Sequence, residues 1–226
     1  MNDHDVFFDH EHVLVAIPSK GRLKSSALEI LERIGVNARF VERAYFCDTS
    51  HPKVSVALLR AIDIPMYVYY GAVDLGITGH DMVLERNVDV YELLDLEFGH
   101  CRLVLAVPND SNLKSVEDFT STTRVATEQV NNASEFFKRK GKEVEIIGLK
   151  GSVEISPALG LADAIVDLTS TGQTLKTHNL TPIETVLESS AVLICNKISF
   201  RTKSSTINRL LNAIKNSKKL SLKEGR

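Results

Sequence analysis

Residues 163–174 read DAIVDLTSTGQT, and their types and order suit one kind of chemistry. A short apolar run, Ala164, Ile165 and Val166, ends in an acid, Asp167, and a hydroxyl-rich turn follows: Thr169, Ser170, Thr171, Gly172, Gln173 and Thr174. A strand that ends in a small glycine-containing turn against a helix N-terminus gathers backbone N–H groups at one point. The helix dipole adds partial positive charge there. Hydroxyls add further donors, so Ser170, Thr171, Gly172, Gln173 and Thr174 suit a phosphate monoester. A carboxylate beside that phosphate stands about where a ribose would place its hydroxyls. With Asp163 close upstream, acid and cradle together fit a phosphoribosyl group. The same turn would also serve as a plain helix N-cap. The two acids and the run of polar residues around Gly172 favour the binding reading.

Other turns carry polar groups as well. Lys20, Gly21 and Arg22 follow the apolar run 13–18 directly. Two cations around a glycine at a strand-to-helix loop suit a diphosphate or triphosphate, and equally a solvated loop. Arg60 ends the run 54–59 with Asp63 nearby, so it reads as an ion pair with that acid or as a second phosphate clamp. In GAVDLGITGHD, Gly79 allows close backbone approach to a ligand, while Asp74 reads as structural. In KGSVE, Ser152 is an N-cap or a ligand contact, and Glu154 an ordinary first-turn acid or a cleft residue. No Ser–His–Asp or Cys–His set can be assembled, and no spacing suggests a metal cage of protein ligands. A metal here is expected as Mg2+ carried by a diphosphate substrate, because Mg2+ keeps most of its waters and takes few carboxylates.

These residues need elements to hold them. The 226 residues suffice for one sizeable core or two small lobes, and 43% apolar with 25% charged content is ordinary for a globular chain. A net charge of −2 argues against a nucleic-acid or membrane surface. The Lys-rich end of the last helix reads as a solvated C-terminus. No run reaches transmembrane length, and the acidic start MNDHDVFFDHEH lacks the features of a secretory signal. His4, His10 and His12 in that stretch read as a solvated, partly disordered tail rather than a metal site. Cys47, Cys101 and Cys195 are scattered and odd in number, so a reducing cytoplasm is expected.

Apolar runs at 13–18, 54–59, 73–77, 90–94, 102–107, 124–126, 144–147, 165–167 and 192–195 read as strands, with another near 38–42. Helical patterns alternate with them, which predicts an α/β fold with mostly parallel sheets. A second set of strand–helix units begins at 102–108. The expected division is lobe 1 from residues 1–104 plus 185–226 and lobe 2 from residues 105–184, the latter carrying the phosphoribosyl turn. The loops after Pro18, Leu59, Ile77, Ala126, Ile147 and Val166 fall at the carboxyl ends of strands, where they are expected to face one cleft.

Taken in order, AIPSKGRL, RAIDIP, GAVDLGITGHDMVLE, CRLVLAVP, RVATE, KGSVEISPALGLADAIVDLTSTGQTL and SFRTK resemble the ATP phosphoribosyltransferase family over nearly the whole chain. The stretch 150–175 is the most specific. The resemblance implies two lobes like those of type II periplasmic binding proteins, with the active site in the inter-lobe cleft. It implies transfer of 5-phosphoribosyl from phosphoribosyl diphosphate to N1 of the ATP adenine, the first step of histidine biosynthesis. Asp163 and Asp167 would then lie at the ribose hydroxyls, Ser170 to Thr174 on the 5-phosphate, and Lys20, Arg22 and Arg60 on phosphates of either substrate. The length leaves no room for the C-terminal regulatory domain of long members. The resemblance is therefore to the short form, which works as a hetero-oligomer with a regulatory subunit resembling histidyl-tRNA synthetase. Two departures stand out. Ser19 is an extra residue in a loop that more often reads PKGR, and TEQVNNASEFF lacks the proline common after Thr-Glu, so no catalytic role is placed at 128–132.

The expected mechanism is positioning and electrostatics. Carboxylates near the ribose stabilise the positive charge that develops as the C1–diphosphate bond breaks, and Mg2+ and cations steady the leaving group. Two other readings compete: a two-lobed binding protein or sensor without activity, and a phosphoribosyltransferase for another base.

Overall fold

The computed structural model describes residues 11–40 and 44–224. His4 and His10 lie outside the described residues. His12 is described and is not part of a solvated tail: it is buried, with Nε2 2.9 Å from Ser55 Oγ. The chain forms two compact units, Met1–Gly99 with Ala191–Arg226, and His100–Ser190.

The first unit begins with β1 (Val13–Pro18), an all-apolar strand buried along its length, as a central parallel strand must be. Helix α1 (Arg22–Arg33) follows, burying Leu23, Ala27, Ile30 and Leu31 at helical spacing. Then come β2 (Phe46–Asp48), β3 (Val54–Leu59), α2 (Ile64–Tyr69), β4 (Leu75–Gly79), α3 (His80–Arg86) and β5 (Tyr91–Asp95). Pro65 sits in the first turn of α2, where its missing N–H costs nothing. The expected strand near 38–42 reduces, among the described residues, to one bridge, Ala38 to Thr49; β2, paired antiparallel to β3, is only three residues long and too short to signal itself.

The second unit opens with β6 (Cys101–Pro108), β7 (Arg124–Thr127), α4 (Val130–Arg139) and β8 (Glu145–Gly148). A 3-10 turn (Val153–Ile155), β9 (Ala164–Thr169), α5 (Gln173–Thr177) and β10 (Leu180–Ser189) complete it. The chain then returns to the first unit as β11 (Ala191–Cys195), α6 (Lys197–Thr202) and α7 (Ser204–Glu224). The crossings thus fall at 99/100 and 190/191 rather than near 105 and 185. The physical reason is that β6 and β10 pair with each other from end to end, so neither can be shared between units.

Both sheets are mixed, not mostly parallel. The first has order β2-β3-β1-β4-β11-β5, the second β10-β6-β9-β7-β8. In the first, β1 is parallel to β3 and β4, while β11 runs antiparallel to β4 and β5. In the second, β7 is parallel to β8 and β9, while β6 runs antiparallel to β9 and β10. The antiparallel pairs come from the short edge strand β2, from β6, and from the returning strands β10 and β11, which join each sheet without a helical crossover between parallel neighbours. The parallel strands still do what positions a site: β1, β3 and β4 end at one edge of their sheet, and β7, β8 and β9 at one edge of theirs.

Candidate functional site

In the second unit, side chains alternate between two faces of the sheet. Leu103, Leu105, Val125, Ala164 and Val166 pack in one apolar cluster; Val104, Ala106, Ala126 and Ile165 pack in another with Val153 and Leu175. Continuing that alternation along β9 puts Asp167 and Thr169 on the second face. Strand β9 runs two residues beyond the expected end at Asp167, because β6 holds it through the pair Arg102–Thr169.

Asp167 is half-buried, and the Leu168 N–H donates to its Oδ1 at 2.8 Å. Burial pushes its carboxyl up to about 6; the Leu168 hydrogen bond opposes the rise, and the charges of Glu154 and Glu128 add to it. After Thr169 the turn is tight. The Gly172 N–H donates to Thr169 Oγ1 at 2.9 Å, and the Gln173 N–H to Thr171 Oγ1 at 3.3 Å. Gly172 adopts φ 77, ψ 0, a left-handed conformation in which a side chain is strained. Ser170, Thr171, Gln173 and Thr174 are exposed. Helix α5 is only five residues long with no side-chain cap, so its dipole is weak. An anion here relies on the turn's own hydroxyls and N–H groups, not on a long helix behind them.

Ser152 and Glu154 join this edge. Ser152 stands at the N-cap of the 3-10 turn, exposed and left-handed (φ 52, ψ 40), and makes no side-chain cap bond. Glu154 is half-buried and close enough for its charge to raise the Asp167 carboxyl.

Asp163 does not stand with Asp167. It lies just before β9 begins, at the opposite end of the strand. Four residues at about 3.3 Å each separate the two aspartates by roughly 13 Å. Arg124 holds Asp163 there: its backbone N–H donates to Oδ2 at 2.8 Å and its Nη2 to Oδ1 at 3.0 Å. That guanidinium lowers the Asp163 carboxyl below its ordinary range. The residue fastens the start of β9 to β7.

At the first unit's edge, the parallel ends of β1, β3 and β4 gather Lys20, Gly21, Arg22, Arg60 and Gly79. Ser19 N–H donates to the Leu59 carbonyl at 2.7 Å, so the extra serine extends the β1–β3 pairing by one step before Lys20, which is exposed. Gly21 caps α1 without a side-chain bond. Arg22 donates from Nη1 to the Gly99 carbonyl and is committed at least in part to that contact. Arg60 is exposed and does not pair with Asp63, which is taken by Arg86 Nη2 at 2.6 Å. Gly79 has an explanation internal to the fold: a β-carbon there would lie 2.3 Å from the carboxylate of buried Asp81.

Two further residues join the Asp167 edge: Glu128, in the segment 128–132 where the sequence places no catalytic role, and Arg102. Glu128 follows β7, and Arg102 pairs with Thr169. Their signal is the pairing of β9 with β6 and β7, which no local pattern announces. Among the described residues, no group of three or more His, Cys, Asp or Glu is placed to hold a metal ion.

The family model for HisG, ATP phosphoribosyltransferase, matches residues 60–216. An ATP phosphoribosyltransferase of Ignicoccus hospitalis is 48% identical over 182 residues, covering 80% of this chain and 64% of the relative. The chain therefore spans just under two thirds of that relative's length. A chain of the ATP phosphoribosyl transferase (HisG:HisZ) complex from Thermotoga maritima superposes with TM-score 0.80 at 30% identity, covering 91% of this chain and 97% of that one. The P235GK mutant of ArgBP from T. maritima shares the fold alone, with TM-score 0.58 at 16% identity over 98% of this chain and 93% of that one. The α/β architecture is thus that of the type II periplasmic binding proteins, and the chain belongs to the ATP phosphoribosyltransferase family.

Proposed function

We propose that this chain transfers 5-phosphoribosyl from phosphoribosyl diphosphate to N1 of the ATP adenine and releases diphosphate, the first step of histidine biosynthesis. The observation that carries the reading is the half-buried Asp167 carboxyl at the end of β9, two residues before a hydroxyl-rich turn, in a chain of this family. In this reading the second unit is the donor-binding lobe. Ser170, Thr171, Gly172, Gln173 and Thr174 hold the 5-phosphate, Asp167 faces the ribose hydroxyls, and Ser152 and Glu154 line the same edge. Lys20, Gly21, Arg22, Arg60 and Gly79 contribute the phosphate-facing edge of the first unit. Asp163 takes no part in chemistry, because its carboxylate is already held by Arg124.

The C1–O bond of the donor breaks with its electron pair leaving on diphosphate, and the N1 lone pair forms the new bond. Positive charge develops on the ribosyl ring as the leaving group departs. The carboxylate of Asp167 stabilises that charge when ionised, and fixed donors in the turn hold the phosphate so that C1 and N1 stay aligned. Adenine N1 carries no proton to remove, so attack needs no general base. Mg2+ would supply charge neutralisation on the leaving diphosphate, which would bring the ion with it.

The partner is a regulatory subunit resembling histidyl-tRNA synthetase, in a hetero-oligomer. The HisG:HisZ assembly that contains the superposed T. maritima chain supports this. The compartment is the cytoplasm, in keeping with three cysteines held as thiols rather than disulfides; none of the described helices is long and apolar enough to cross a membrane. The test mixes the purified chain with ATP, phosphoribosyl diphosphate and Mg2+, with and without the regulatory subunit. Phosphoribosyl-ATP in either mixture is the expected product. Its absence from both, with the two proteins folded and associated, overturns the reading.

A further inference from the structure

Glu128 has no part in the function as described so far, yet it occupies a specific place. The last parallel pair between β7 and β9 is Thr127–Val166, so the next positions are Glu128 and Asp167. Paired positions on adjacent strands point their side chains the same way. Ala126 and Ile165 share the cluster with Val153 and Leu175, which fixes the face on which Asp167 emerges; Glu128 lies in the bend just past the end of β7, beside Asp167 at the sheet edge. The Glu128 side chain folds over the loop after β8: a β-carbon on Gly151 would lie 3.7 Å from its Oε1. Glu154, on the turn that follows, completes a group of three acids on one face. They come from the end of β7, the 3-10 turn and β9, segments far apart in sequence.

We propose that Glu128 is a positioning residue for the transfer reaction: it tunes the charge of Asp167 from the bend beside it at the sheet edge and does not itself touch substrate. The inference rests on the reading of Asp167 as the ribose-facing carboxylate. The Glu128 carboxylate is exposed and Asp167 is half-buried, and negative charge beside a half-buried carboxyl resists its ionisation. The direction of the Asp167 shift agrees, with Glu154 and Glu128 both contributing after burial. Arg102 on β6 and Lys176 on α5 are charged residues of neighbouring elements; both are exposed and neither contributes to that shift. The arrangement sets the pH below which Asp167 loses the charge that the ribosyl ring needs, and so sets the acidic limb of the reaction.

The experiment uses the full chain with its regulatory subunit and the variants Glu128→Gln, Glu128→Asp and Asp167→Asn. The Asp167 carboxyl is followed by carbon NMR against pH, assigned by its loss in Asp167→Asn. The acidic limb of kcat/KM is measured alongside. Glu128→Gln is expected to lower both midpoints by about half a pH unit, which leaves the variant with about threefold more of its plateau activity below the limb. Glu128→Asp, which keeps the charge, stays nearer the parent. A carboxyl midpoint that does not move in Glu128→Gln overturns the proposal, whatever happens to activity. A moved midpoint together with full turnover in Asp167→Asn leaves the electrostatic link standing and instead removes Asp167 from the chemistry, so the two failures are told apart. A purely structural role for Glu128 would change yield or melting temperature without moving either midpoint.

Discussion

At the scale of single residues, Asp167 and Asp163 show how environment divides two identical side chains. The Asp167 carboxyl, ordinarily near 4, is pushed up to about 6. The folded state therefore binds a proton more tightly than the unfolded chain. The resulting stability is fully present below about pH 4 and is lost as pH rises through 6. At neutral pH the fold carries an ionised, partly buried acid whose use is chemical, a common stability–activity conflict. Asp167→Asn is expected to stabilise the protein by about 1–2 kcal/mol at pH 7.5 and by nothing at pH 4, while turnover falls by about a hundredfold or more. Urea titrations at the two pH values, with kcat measured in parallel, check both halves. Asp163 has the opposite sign. Its carboxyl is lowered by Arg124, so its contribution is present at neutral pH and is lost as pH falls below the ordinary carboxylate range. Because both partners are more than a third exposed, solvent screens the pair and its contribution to stability is small. Asp163→Asn should lower the urea midpoint slightly and leave kcat within about twofold; a large loss of kcat would return Asp163 to the chemistry.

At the scale of elements, the first unit is tied together by one buried acid. Asp74, 5% exposed, precedes β4. It accepts from the Leu14 N–H on β1 at 2.8 Å, from Ser199 Oγ on α6 at 2.6 Å and from Lys203 Nζ at 2.8 Å. One carboxylate thus fastens the sheet to the segment that joins α6 to α7. Asp74→Ala leaves Lys203 and the Leu14 N–H without this partner in a largely dry place, which should cost about 3 kcal/mol. Lys203→Met alone should cost less. The double variant should recover part of the sum, because contacting residues do not add. Chemical denaturation of the four proteins measures the coupling; strict additivity would mean that the pair acts as two independent surface groups.

Legibility at this scale followed the physics of each signal. Strands β1, β3, β6 and β11 are apolar runs buried on both faces, and they announce themselves. Strand β10 did not, because Pro182 and two register shifts interrupt its alternation. It lies at the sheet edge, where a missing N–H and bulges are tolerated and where sequence pattern is weakest. Asp163 misled for a related reason. Positions i and i+4 are neighbours on a helix but lie at opposite ends of a short strand, so closeness in sequence carried no closeness in space. Glu128 was invisible for the converse reason, since its neighbour Asp167 is distant in sequence and close only through the β7–β9 pairing.

At the scale of the molecule, the second unit is one uninterrupted segment, His100–Ser190, while the first is assembled from both ends of the chain. The second unit has its own sheet and its own apolar clusters on both faces of that sheet. Every residue proposed to hold the ribosyl 5-phosphate and the ribose falls within it. That division makes a claim about where the donor acts first. Binding that immobilises a turn raises the free energy of local opening, and amide exchange reads this residue by residue. With phosphoribosyl diphosphate and Mg2+ present and ATP absent, exchange should slow in residues 167–175 and 149–154. The loop after β1 and the residues after β3 should change less. Asp167→Asn should weaken the effect at the ribose, while Thr171→Ala and Thr174→Ala should weaken it at the phosphate. Protection confined to residues 19–22 and 60–63 would place the donor on the first unit. The hydroxyl turn would then be a structural corner, and Asp167 would need another explanation for its partly buried charge.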